Sequence, residues 1–262
     1  MKKVANNSAK FSPLLFVLAA AILWSTGGLF IKWTSISGLE LSFGRSLLAA
    51  ITVAIFTRHE GFGLNRVTAL ASLLYAALLL LFVLATKETT AANAIFLQYT
   101  APVYLLVLEP LFYKEKFRTR DLITVALCVL GMSLFFVGKL RPQDVTGNLL
   151  ALASGFCFAC YFLLLRHSKS RAVNRASSVI YGNLLLVLIA APVGLRVLPR
   201  LSAHDALSVI YLGVIQIGLA YTLFTVAMAR GVRSLDAGIV GYVEPVLNPI
   251  WVFLVLGERP NS

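Results

Sequence analysis

The chain has 262 residues, of which 59% are hydrophobic and 13% charged, with a formal net charge of +12. Soluble domains carry about 25% charged residues. That balance excludes a water-soluble fold of this length, because the excess apolar surface must face lipid.

In chain order, nine runs are long enough and apolar enough to cross about 30 Å of hydrocarbon. They lie near 13–31, 40–57, 67–86, 91–113, 121–138, 147–165, 177–195, 206–229 and 235–256. Backbone groups in lipid must be satisfied within their own segment, so each run is predicted to be a helix. The alternating segments of about 10 residues that mark a β-barrel are absent. The first run opens like a signal peptide, with Lys2, Lys3 and Lys10 ahead of it and Ala19-Ala20-Ala21 inside it. Its uncharged stretch continues through Phe30 and further spans follow, so a membrane span is expected there.

The basic residues report orientation. With the N-terminus in the cytoplasm, fifteen Lys and Arg fall on the cytoplasmic side, including Arg58, Arg66, Lys114, Arg118, Arg166, Arg230 and Arg233. Seven fall on the other: Lys32, Lys87, Lys139, Arg141, Arg196, Arg200 and Arg259. Such an excess is the positive-inside pattern. The expected partner is the lipid bilayer, not a nucleic acid, and the expected site is a bacterial inner (plasma) membrane. Only Arg45 lies clearly inside a run. It starts five residues into the second span and is expected to snorkel to the outer interface. Glu109, one turn from Lys114, is expected to do the same at the cytoplasmic end.

Cys128, Cys157 and Cys160 all fall inside spans, and the C-x-x-C of the last two reads as packing. His59, His167 and His204 are scattered over loops, so neither a metal nor any other cofactor is expected. His204-Asp205 is a His–carboxylate neighbour, as is His59-Glu60, and adjacency alone is no catalytic geometry. No enzyme activity is expected. No P-loop is present to support an ATP-driven step.

The chain repeats itself. Ala94, Tyr99, Pro102, Val103 and Glu115 match Ala237, Tyr242, Pro245, Val246 and Glu258 at a constant offset of 143. Toward the front of each half the offset is 134, pairing Lys32 with Arg166 and Trp24 with Phe158. Five spans precede the second copy, so that copy enters from the other side. The expected architecture is an all-α polytopic membrane protein of two inverted five-helix repeats, residues 1–138 and 139–262, a common plan for secondary transporters. The counterpart of the fifth span would begin near Asn261, so the second repeat lacks its tenth helix. Truncation of the chain is the favoured explanation.

Pro102 and Pro245 lie near the middles of their spans. Each removes a backbone donor and is expected to break its helix, freeing the carbonyls of Gln98 and Gly241. Broken helices at midplane in both halves point to a transport site. Glu244 lies near the centre of its span, where an ionised carboxylate costs about 2.5–3.5 kcal/mol. It is expected to face the interior, contacting a substrate amino group or carrying a proton. A neutral, hydrogen-bonded packing glutamate is the alternative. The other candidates for a substrate cavity are Trp24, Tyr75, Gln98, Tyr99, Tyr161, Gln216 and Tyr242, with Tyr221 also considered. Interhelical bonding and packing are the competing roles for these side chains. Gly27-Gly28 and Gly213 to Gly218 are expected to allow close helix contact.

The stretch Ala91 to Lys116, with Tyr99, Pro102-Val103 and Glu115, resembles the fourth span of the EamA-type branch of the drug/metabolite transporter superfamily. Tyr242-Val243-Glu244-Pro245-Val246, closing in Leu256-Gly257-Glu258-Arg259, is similar to that family's ninth span. Trp24 with Lys32 resembles its first span, and Arg45 sits where its second often has Arg. The resemblance implies ten helices in two inverted halves and the movement of small metabolites, often amino acids, mostly outward. A non-transporting membrane assembly or sensor module is the alternative function. A homodimer is left open by the sequence.

Overall fold

The computed structural model describes residues 12–114, 116, 118–133, 144–174 and 176–257. Among them all regular structure is helical. Among the described residues, eight spans are long and apolar enough to cross a membrane. The fifth expected run, 121–138, is described only over its first part; its remainder, the 138/139 repeat boundary, Glu115 and Glu258 lie outside the described residues.

The first span is two helices, α1 (Pro13–Trp24) and α2 (Gly27–Trp33). Between them Ser25 and Thr26 donate their hydroxyls to the carbonyls of Ile22 and Leu23, at 2.6 and 2.7 Å. These bonds satisfy carbonyls that a helix end would leave bare. The second span is α3 (Gly38–Thr57), started by a capping box of Ser37 and Glu40. The third is α4 (Arg66–Glu88), whose first amides bond the Asn65 side chain.

The fourth span breaks into α5 (Ala91–Gln98) and α6 (Ala101–Tyr113). Pro102 sits in the first turn of α6, where its missing N–H costs nothing and its fixed φ suits a helix start. Then come α7 (Thr119–Ser133), an unbroken α8 (Val145–Arg166), the single turn α9 (Ser168–Arg171) and α10 (Ser177–Val197). The eighth span runs from α11 (Ala203–Ile210) through a π-helical stretch, Tyr211–Leu219, into α12 (Ala220–Ala229). The ninth breaks at Tyr242 into α13 (Ser234–Gly241) and α14 (Val243–Leu256). The helix breaks expected of Pro102 and Pro245 are both present, each about one turn before its proline.

The bundle is held together across the two halves. Helix α4 packs on α8 and α10, α3 on α10 and the π-helical stretch, α1 on α12, and α14 on both α2 and α5. The two halves run in opposite senses. The start of α1 lies with the Arg230 loop, where the Arg230 guanidinium stacks on Phe16 at 4.6 Å. The start of α8 lies at the other end, with Gly147 against Thr89. Repeat-related residues meet at the centre. The rings of Tyr99 and Tyr242 are 5.6 Å apart, and those of Trp24 and Phe158 are 6.0 Å apart. Large apolar side chains such as Val107, Leu111, Leu127, Leu188 and Leu254 face outward, as a lipid-facing surface requires.

Candidate functional site

The two broken helices are joined by one hydrogen bond. Tyr99, at the end of α5, donates its hydroxyl to Oε2 of Glu244 at 2.6 Å. Glu244 is 5% exposed and lies in the first turn of α14. The positive end of that half-helix favours a carboxylate there.

A small cavity lies beside this bond. Its volume is about 20 Å³, room for about one water. Glu244, Gln98, Gln216, Trp24 and Arg45 supply its polar wall; Leu78, Phe82, Phe158 and Tyr221 contribute the apolar one. Gln98 donates to Ser154 Oγ at 2.7 Å, and Ser154 donates to the Leu78 carbonyl at 2.8 Å, so α5, α8 and α4 are tied at one level. Gly155 makes this possible: a methyl placed on it would lie 2.6 Å from the Gln98 carbonyl oxygen. Gln216 is presented by the π-helical stretch, a feature frequent at functional sites. Its Nε2 reaches the Trp24 carbonyl at 3.4 Å, at the break in the first span. The absence of a side chain on Gly27 leaves it the room, since a Cβ there would stand 2.7 Å from that nitrogen.

The predicted residues divide into two tiers. Trp24, Gln98, Gln216 and Glu244 share the cavity, with Tyr99 behind Glu244 and the tilted ring of Tyr242 packed against Tyr99. Tyr75 and Tyr161 are fully buried outside the cavity lining, 5.2 Å apart, and Tyr221 packs on Tyr75 at 4.8 Å. Asn183 donates to the Tyr75 hydroxyl at 3.3 Å, and Tyr161 lies 3.4 Å from Ser178 Oγ. This aromatic tier separates the cavity from the end of the bundle that carries the basic loops.

Two expectations are corrected. Arg45 does not snorkel to an interface. It is 1% exposed, and Nη2 donates to the Leu79 carbonyl at 3.2 Å. Its face of α3, not its depth, decides this, because that face is packed against α4 and the π-helical stretch. Glu109 is also buried, at 2% exposed, because its face of α6 turns toward the second half. It pairs with Arg166 at 2.6 Å and with Arg233 at 3.5 Å, and Arg233 also binds Asp121. Burial pushes the Arg233 guanidinium down, but the bond to Asp121 and the charges of Asp236 and Glu109 outweigh this and raise it.

The opposite end has its own tie between halves. Asp205 accepts bonds from the amide and hydroxyl of Ser35, both at 2.8 Å, and from Ser202 at 2.6 Å. The halves are therefore tied to each other toward both ends of the bundle. Asn248 escaped the sequence reading altogether. It is completely buried one turn beyond Glu244, neither side-chain amide atom has a partner among the described residues, and it packs on Gly28. The spacing of four from Glu244 was the available signal. Cys128, Cys157 and Cys160 are free thiols, and among the described residues no cluster of His, Cys, Asp and Glu could hold a metal ion.

Residues 11–137 and 145–262 match the profile of the EamA-like transporter family. The chain belongs to this family. Among relatives, the transporter YwfM of Bacillus subtilis, described as uncharacterized, is 28% identical over 260 residues, 95% of this chain and 88% of its own. The threonine/homoserine exporter RhtA of Escherichia coli K12 is 31% identical over 189 residues, 68% of this chain. The match spans 59% of RhtA's length. One crystal structure superposes with a TM-score of 0.77 at 18% identity, covering 95% of this chain and 90% of its own, a likeness in fold. The EamA chain is thus an integral, multi-pass membrane transporter.

Proposed function

We propose that the chain is a secondary transporter that moves a small amino acid or related metabolite out of the cytoplasm by alternating access. The observation that carries this reading is the meeting of two repeat-related helix breaks at a buried polar cavity, bridged by Tyr99 and Glu244. Broken helices at midplane expose backbone and side-chain polar groups to a substrate that rocking of the two halves can admit from either side. The name of RhtA, an exporter of threonine and homoserine, supports the substrate class and direction. The excess of Lys and Arg at one end supports a cytoplasmic N-terminus in a bacterial inner membrane. Glu244 takes one of two roles in the cycle, contact with the substrate amino group or proton carriage.

The test is counterflow of radiolabelled threonine and homoserine in proteoliposomes. Saturable flux is expected, with a strong loss in Glu244→Gln. A folded, reconstituted protein with no saturable amino-acid flux would overturn the reading and favour an assembly or sensor role. Flux unchanged in rate and pH dependence by Glu244→Gln would remove both roles of the carboxylate.

A further inference from the structure

The central cavity is lined by a guanidinium and a carboxyl group, Arg45 and Glu244, that do not pair with each other. No carboxylate among the described residues lies within ion-pair distance of the Arg45 guanidinium, and its Nε has no hydrogen-bond partner. A fully buried guanidinium without an anion carries a large desolvation penalty. Trp24 Nε1, on the same cavity, is a second donor without an acceptor. The complementary deficit is also present. Gln216 Oε1 is a buried acceptor without a donor, and Glu244 supplies a carboxylate whose bonded neighbour is Tyr99. Two donors lacking an acceptor and two acceptor groups able to take further donors thus surround one space.

We propose that Arg45 and Trp24 receive the carboxylate of an α-amino acid zwitterion while Glu244 and Gln216 receive its ammonium group. Such a ligand satisfies both sets of groups at once and carries no net charge into the membrane. An amine or a carboxylate satisfies only one set, and a neutral sugar, whose hydroxyls both donate and accept, supplies no anion for the guanidinium. A cavity of about 20 Å³ admits about one water, so the zwitterion enters only as the halves separate at one end. Arg45 is then the specificity-determining residue for the carboxylate. This inference rests on the transport reading above and assigns polarity to the same site.

The experiment reads binding and flux separately. Thermal stabilisation of the detergent-solubilised protein is titrated with threonine, threoninamide and N-acetylthreonine, and the same compounds compete in threonine counterflow. In the wild type, threonine is expected to bind at least about 100-fold more tightly than either blocked analogue, the cost of leaving a buried charge unpaired. Arg45→Met should remove the preference for threonine over threoninamide while keeping that over N-acetylthreonine, and Arg45→Lys should restore part of it. The wild-type comparison decides the matter even if Arg45→Met fails to fold. Saturable threonine flux with no discrimination against threoninamide overturns the zwitterion site and leaves the transport reading standing. Absence of both binding and flux for amino acids overturns both.

Discussion

Tyr99 and Glu244, 145 residues apart in sequence, are joined by a 2.6 Å hydrogen bond. Tyr242, the repeat mate of Tyr99, packs its ring against it at a tilt, yet its own hydroxyl has no partner among the described residues. The pseudo-symmetric pair is therefore chemically unequal, and that makes a controlled comparison. Tyr99→Phe removes a buried bond to an ionisable group, worth about 1.5–3 kcal/mol, and should cut threonine counterflow by about tenfold or more with membrane abundance unchanged. Tyr242→Phe removes only an unpaired hydroxyl and should be close to neutral. Equal losses in the two variants would show that packing, not the bond, matters.

The basic end should be held shut by its ion pairs. Glu109 of the first half binds Arg166 and Arg233 of the second, and Arg233 also reaches Asp121. Leu105, fully buried, lines the small pocket beside Glu109. Glu109→Gln weakens both pairs, and breaking a buried pair costs about 3–5 kcal/mol. In a background with Cys128, Cys157 and Cys160 replaced by Ala, Leu105→Cys should react with a water-soluble maleimide at least about tenfold faster when Glu109→Gln is added. No acceleration in Glu109→Gln would show that the pairs do not restrain opening.

Much of this was legible in the sequence because apolar length and proline position act locally. A run of about 20 apolar residues has few alternatives to a membrane helix, and Pro102 and Pro245 fix where the helices restart. The constant offset of 143 also pointed to Tyr99 and Tyr242, which do meet. What one sequence withheld was the face. Arg45 and Glu109 were judged by depth along the helix axis, which allows snorkelling, whereas both are turned inward by packing. The burial of Asn248 is a matter of face as well. The π-helical stretch that aims Gln216 leaves no local signature in Tyr211–Leu219 beyond its two glycines.

Gly155 should be intolerant of any side chain. A Cβ there would stand 2.6 Å from the Gln98 carbonyl and 3.0 Å from Thr100 Oγ1. The first contact is with backbone, so relief requires moving α8 away from the break in the fourth span. Overpacking of this kind costs about 1–3 kcal/mol. Gly155→Ala should lower the thermal midpoint of the solubilised protein, and Gly155→Val should lower it further. At Gly131, where nothing lies within 4 Å of the added Cβ, the Ala variant should be neutral. A Gly155→Val midpoint equal to wild type would mean that α8 and the break are not in contact.

Alternating access makes the two ends mutually exclusive, and Asp205 tests that directly. Its carboxylate holds Ser35 of the first half through two bonds at 2.8 Å, at the end remote from Glu109. Asp205→Ala removes both and should favour opening there, and Ser35→Ala, which loses one, should act in the same direction more weakly. Ile36, next to Ser35, is buried. With Asp205→Ala in the cysteine-free background, Ile36→Cys should be labelled faster. If the halves rock about a shared centre, as the proposed alternating access requires, Leu105→Cys at the basic end should be labelled no faster, and preferably more slowly, in the same variant. If loosening one end accelerates labelling at both, the protein opens as a channel instead of alternating, and flux that fails to saturate should accompany it.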